Sequence, residues 1–211
     1  MNGRIRVFHQ QHHSRPCRDN TSTTCSTNHE RATQSLHAHD REGAHRMDCL
    51  FFRHGIAVER DTWTGEERRR PLTHKGRART RQSGKGLLAL RLTPTHILSS
   101  PLTRARQTAV ILQALLEEPI AIRMTAALEP EADPQAICAL LNTVPPDAFV
   151  WCIGHEPHLS ATAGLLLTGT SCHGFALKKA GACLIHVDHR MRPGTGRLDW
   201  WLTASQLRAL A

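Results

Sequence analysis

Met47-Asp48-Cys49-Leu50-Phe51-Phe52-Arg53-His54-Gly55 reads as a short apolar strand that ends in a histidine beside an arginine. A histidine ring nitrogen can attack phosphorus and carry the phosphoryl group covalently. A neighbouring guanidinium can hold two phosphate oxygens in a fixed fork. Gly55 lets the backbone approach a ligand with no Cβ in the way. Alone, such a triplet at a strand end is no more than a turn, so its meaning depends on the rest of the chain.

Downstream of Gly55 the chain alternates between strand and helix. Residues 48–52 form the first strand. A helix is predicted from Thr73 or His74 to about Leu90, although Gly76, Gly84 and Gly86 weaken its propensity. His96 to Ser99 gives a second strand, and Pro101 opens a helix that runs to Leu116, with apolar periodicity at Ala105, Ala109, Leu112 and Leu116. Ile120-Ala121-Ile122 is a short strand. Asp133-Pro134 is an N-cap followed by a first-turn proline, starting a helix to about Asn142. Phe149-Val150-Trp151-Cys152-Ile153 is apolar throughout, as in a strand buried on both faces. Pro157 starts a helix closed by Gly169. Cys183 to Val187 and Leu198 to Leu202 form a hairpin, and a short helix ends the chain. This order predicts an α/β domain of three layers, with helices flanking a largely parallel central sheet.

Residues 1–46 differ from the rest. They are rich in His, Arg, Ser, Thr, Gln and Asn and cannot bury enough apolar surface to offset their ordering. They are expected to form a disordered His/Arg-rich extension, with the folded domain spanning 47–211; Met47 is a candidate translation start. A metal site in the extension is the alternative, but Cys17 and Cys25 lie too far apart for the usual short zinc-ligand spacing. The 211 residues carry a net charge of +9, of which +3 falls in 1–46 and +6 in 47–211. The excess is spread out and accompanies no nucleic-acid-binding motif, so no nucleic-acid partner is expected. No apolar run reaches the roughly 18 residues needed to span a bilayer. The seven cysteines are scattered, several within apolar stretches, which suits buried free thiols in a reducing cytoplasm.

Ligands of open α/β sheets bind beyond the carboxyl ends of the strands. Three of those ends carry polar chemistry: Arg53-His54-Gly55, then Ser99-Ser100-Pro101-Leu102-Thr103-Arg104-Ala105-Arg106-Gln107-Thr108, then Gly154-His155-Glu156-Pro157. The last two lead into helix N-termini, which favour anions. Together with Arg70-Pro71-Leu72-Thr73 and Gly76, these four motifs resemble, in order, those of the histidine phosphatase superfamily, which has the phosphoglycerate-mutase-like fold. Within it they are most similar to the short SixA-type protein-phosphohistidine phosphatases. The resemblance begins at about residue 49.

The resemblance implies roles residue by residue. His54 is similar to the nucleophile, and its other nitrogen needs an acceptor such as a backbone carbonyl to hold the ring neutral. Arg53 and Arg104 are similar to the phosphate clamp, and His155 to a second histidine that donates to phosphate. Arg70 is a further phosphate contact, and Gly55 a substrate-side position. Arg106 points about 200° from Arg104 on a helix and is read as solvated. Glu129 is a candidate general acid, although SixA-type members lack one and an imidazole leaving group hardly requires it. The implied activity is ping-pong phosphoryl transfer without metal or cofactor. The substrate is a phosphorylated protein, such as a histidine phosphotransfer domain, or a small phosphomonoester. A non-catalytic phosphate-binding module is the remaining alternative.

Overall fold

The computed structural model describes residues 46–172, 174–188 and 190–211. The disordered extension expected over residues 1–46, with its histidines and Cys17 and Cys25, lies outside that description except for Arg46, which is in a strand.

Six strands form one mixed sheet in the order β3-β2-β4-β1-β5-β6. They are β1 (Arg46–Arg53), β2 (His96–Ser99), β3 (Ile122–Met124), β4 (Phe149–Gly154), β5 (Ala182–Asp188) and β6 (Gly196–Leu202). β3, β2, β4 and β1 run parallel, while β5 and β6 are added antiparallel. The helices are α1 (His74–Ala89), α2 (Thr103–Gln113), α3 (Pro134–Leu141), α4 (His158–Thr168) and α5 (Ala204–Ala209).

Side chains on a strand alternate faces, and β1 and β4 are apolar on both. Cys49, Phe51, Val150 and Cys152 pack in one core with Ile137 and Leu141 of α3 and Leu159, Ala163 and Leu166 of α4. Leu50, Phe52, Trp151 and Ile153 pack in the other with Leu87 of α1, Ala105, Ala109 and Leu112 of α2 and Leu207 of α5. The result is the predicted three-layer arrangement. Cys49, Cys138, Cys152 and Cys183 are free thiols buried in it.

Local signals explain most of the boundaries. Thr73 Oγ1 accepts the Gly76 N–H and caps α1. Asp133 Oδ1 accepts the Gln135 N–H and caps α3, with Pro134 in its first turn. Gly169, in the left-handed region at φ 84°, closes α4. The glycines that lower the propensity of α1 serve its packing. A Cβ at Gly76 would lie 1.9 Å from the Ile56 carbonyl oxygen, and one at Gly86 would lie 1.9 Å from that of Leu207.

At three elements the differences from the sequence reading have a visible cause or partner. β1 starts two residues before the expected 48, at Arg46, which pairs with Asp188 of β5. α2 spans Thr103–Gln113 rather than 101–116. Pro101 stays outside it because the Leu102 N–H turns back to Ser100 Oγ, and the tight bond from Leu115 N–H to the Leu112 carbonyl ends it early. The third strand lies at 122–124, not 120–122. Pairing to β2 begins at Ile122, and the Ile120 carbonyl instead accepts from the Gln113 side chain.

Candidate active site

The carboxyl ends of β1, β2 and β4 open into a cleft of 600 Å³ lined by Arg53, His54, Arg70, Arg104, Glu129 and His155 among others. Pairing of β1 with β4 aligns Arg53 with Gly154, and the His54 N–H donates to the Gly154 carbonyl at 3.0 Å. His54 and His155 therefore leave adjacent strands side by side, with ring centroids 4.9 Å apart.

His54 is buried, and its Nδ1 lies 2.7 Å from the Gly55 carbonyl oxygen. A carbonyl only accepts, so Nδ1 carries the proton and Nε2 keeps its lone pair. Burial, then the charges of Arg104, Arg53 and Arg70, bring its pKa from 6.5 to about 3, against the opposing pull of the Gly55 carbonyl. The ring is thus neutral at ordinary pH. His155 is pushed down to about 2, again first by burial and then by His54 and Arg104. Its Nε2 is 2.9 Å from Ser100 Oγ. That oxygen also accepts the Leu102 N–H; when its own proton goes to Nε2, the His155 ring carries its proton on Nδ1. Nδ1 has no hydrogen-bond partner among the described residues.

Arg53 Nη1 donates to the Leu177 carbonyl at 2.7 Å, which braces the guanidinium. Arg104, on the first turn of α2, is almost fully buried. Burial, then the nearby Arg70, lower its pKa to about 10, where it still holds its charge at neutral pH. Arg106 is exposed, consistent with its helical angle.

Arg70 reaches the cleft with its fork already engaged. Nε and Nη2 each donate to the Glu67 carboxylate at 2.9 Å, and Nη1 donates to the Val58 carbonyl at 2.6 Å. Glu129 also lines the cleft, but both its oxygens accept from Arg68, at 2.8 and 2.9 Å. That contact holds its carboxyl below the ordinary range. A carboxyl so placed is ionised at neutral pH and paired with Arg68.

Gly55 needs a correction. It is not among the residues lining the cleft. A Cβ there would meet Thr80 Oγ1 at 2.2 Å, and its N–H donates to Thr108 Oγ1 at 3.0 Å. The glycine serves close packing of the loop after β1 on α1 rather than ligand approach. Sequence reasoning also missed Glu67, Glu156 and Lys179, all of which line the cleft. The signal for Glu67 was available as a carboxylate three residues before Arg70, but it sits in a charge run that reads as solvated surface. Among the described residues, no group of three or more His, Cys, Asp or Glu side chains is arranged to hold a metal ion. No described helix is long and apolar enough to cross a membrane.

Parallel strands ending in a histidine pair among arginines define a phosphoglycerate-mutase-like α/β fold with a candidate phosphoryl site. The comparisons agree with this class. The profile of the histidine phosphatase superfamily (branch 1) matches residues 49–129. An uncharacterised protein of Picosynechococcus is 41% identical over 137 residues, covering 64% of this chain and 82% of that protein. The structure of the protein histidine phosphatase SixA complexed with tungstate superposes with a TM-score of 0.67 at 24% identity, over 76% of this chain and 99% of that one. The mycobacterial glucosyl-3-phosphoglycerate phosphatase gives 0.57 at 15% identity, over 75% and 99%. At these identities the structural likeness speaks to the fold alone. The chain belongs to the histidine phosphatase superfamily.

Proposed function

We propose that the protein is a phosphatase that works through a phosphohistidine on His54 and acts on phosphohistidine carried by a protein. The observation that carries this reading is the His54 ring. It is neutral, its Nδ1–H is fixed on the Gly55 carbonyl, and its lone pair is at Nε2 in a cleft that also holds Arg53, Arg104 and His155. In the first step Nε2 attacks phosphorus, the P–N bond of the substrate breaks, and the freed imidazole takes up a proton from solvent. In the second, water attacks phospho-His54, the new P–N bond breaks, and inorganic phosphate leaves. Arg53, Arg104 and the His155 Nδ1–H stabilise the equatorial oxygens as charge builds on them.

Substrate class is argued from Glu129. With both its oxygens tied to Arg68, Glu129 has no proton ready for an alkoxide leaving group. Imidazole leaves with far less help. The superposition on the SixA protein histidine phosphatase is in keeping with this choice. A small phosphomonoester is the second reading, favoured by the shared fold of the glucosyl-3-phosphoglycerate phosphatase.

The test is trapping. Wild type and His54→Ala are incubated with a phosphorylated histidine phosphotransfer domain and with p-nitrophenyl phosphate, and acid-labile phosphate on the enzyme and phosphate release are measured. Labelling and release from the protein substrate, both lost in His54→Ala, support the reading. Turnover of the ester alone moves it to a metabolite phosphatase. No labelling or release with either leaves a phosphate-binding module.

A further inference from the structure

The arginine cluster already grips an anion from its own chain. Glu67 begins the 3₁₀ turn Glu67–Arg69. Its two carboxylate oxygens take the Nε and Nη2 donors of Arg70 at 2.9 Å each. Oε1 also lies 3.3 Å from Arg104 Nη1 and 3.4 Å from Arg60 Nη2. Three guanidinium groups thus converge on one carboxylate, beside the histidine pair. The flat edge of Arg70, which would hold two phosphate oxygens in parallel, is the edge that Glu67 fills.

Electrostatics explain why the carboxylate sits there. Arg70 and Arg104 repel one another, and Arg104 is buried. An anion between them relieves that repulsion. The same Arg70 contact, with Arg104 and Arg60 behind it, lowers the Glu67 pKa to about 2, so the carboxylate keeps its charge over the whole working range. Yet the Glu67 side chain is 41% exposed, so solvent lies open to it once the arginines let go. A phosphoryl group arriving at the clamp would take over its role, and two anions cannot share one arginine cluster without mutual repulsion.

We infer that Glu67 is an internal competitor for the phosphoryl group, which substrate displaces from Arg70 and Arg104 and which lowers the affinity of the site for phosphate. The residue tunes affinity rather than reacting. It keeps the arginines oriented and compensated while the site is empty, and it returns as inorganic phosphate leaves. The inference rests on the cleft being a phosphoryl site.

Calorimetric titration with inorganic phosphate tests it, using wild type, Glu67→Gln and Arg104→Ala. Glutamine keeps an acceptor oxygen for Arg70 and removes the charge. Removing one charge close to a bound anion at a half-exposed position is expected to tighten phosphate binding on the order of tenfold, with KM for substrate falling in step. A residue that merely holds Arg70 in place would give the opposite sign. Unchanged or weaker phosphate binding by Glu67→Gln, with wild-type binding still dependent on Arg104, overturns the inference and leaves the phosphoryl site standing. Wild type that binds no phosphate, or binds it equally without Arg104, overturns both.

Discussion

His54 should leave its mark on the acid stability of the protein, independently of any assay of turnover. Its ordinary pKa of 6.5 falls to about 3 in the fold. As pH drops below 6.5, the unfolded chain takes up a proton there and the folded chain does not. The unfolded state then binds more protons, so stability declines with falling pH, and it goes on declining until the folded ring itself titrates near pH 3. Each such group contributes a slope of about 1.36 kcal/mol per pH unit. Between pH 6.5 and pH 4.5 the share of His54 comes to about 2 kcal/mol. His155, lowered to about 2, adds a similar share. Urea unfolding followed by circular dichroism at half-unit pH steps gives the slope directly. His54→Gln should flatten it by one proton's worth while leaving the His155 contribution in place. Superimposable slopes for wild type and His54→Gln would mean that His54 titrates in the fold as in the unfolded chain, near 6.5, and that burial does not hold the ring neutral.

Three further outcomes are expected. Gly76→Ala forces a Cβ to within 1.9 Å of the Ile56 carbonyl oxygen, a backbone atom that cannot yield cheaply, so the loss in urea unfolding free energy should reach on the order of 2 kcal/mol or more. A change below half of that would show the close approach to be slack. Glu129→Gln should turn over a phosphohistidine protein within about threefold of wild type, whereas a fall of about 10²-fold would restore the carboxyl as a general acid. Arg104→Met should cut kcat/KM by on the order of 10²–10³-fold, as loss of a transition-state charge contact does, and a drop of less than tenfold in a folded variant would remove Arg104 from the clamp.

The layers and the site were legible for different reasons. β1 and β4 declare themselves because both their faces are buried, so apolar side chains run without interruption from Cys49 to Phe52 and from Phe149 to Ile153. The caps at Asp133 and Gly169 are local chemistry, read from two or three residues. The bounds of α2 and β3 were set instead by contacts from elsewhere in the fold: the Ser100 hydroxyl turning back the Leu102 N–H, and the Gln113 side chain taking the Ile120 carbonyl. His54, Arg104 and His155 fall at strand ends, where topology gathers them. The pairing among the charges could not be read. Arg68-Arg69-Arg70 looks uniform along the chain, but Arg70 locks onto Glu67, Arg68 reaches 61 positions ahead to Glu129, and Arg69 pairs with exposed Glu66. Gly55 was misread because the group occupying its missing Cβ, Thr80, comes from α1.

The two histidine rings stand one sheet rung apart. His54 and His155 come directly after residues paired across β1 and β4, their centroids lie 4.9 Å from each other, and neighbouring strands lie about 4.8 Å apart in any sheet. The backbone positions of the histidine pair therefore take their spacing from the lattice of main-chain hydrogen bonds. No mutation of a cleft side chain can retune it without breaking ladder bonds at the centre of the molecule. Diversification of such a scaffold has only the borders of the cleft to work with, here the loop carrying Glu59, Arg60, Glu67 and Arg68 and the facing turn of Glu129, Pro130 and Glu131. Grafting those two short segments from another member of the superfamily is thus the direct way to change the cleft border while leaving the histidine pair unchanged.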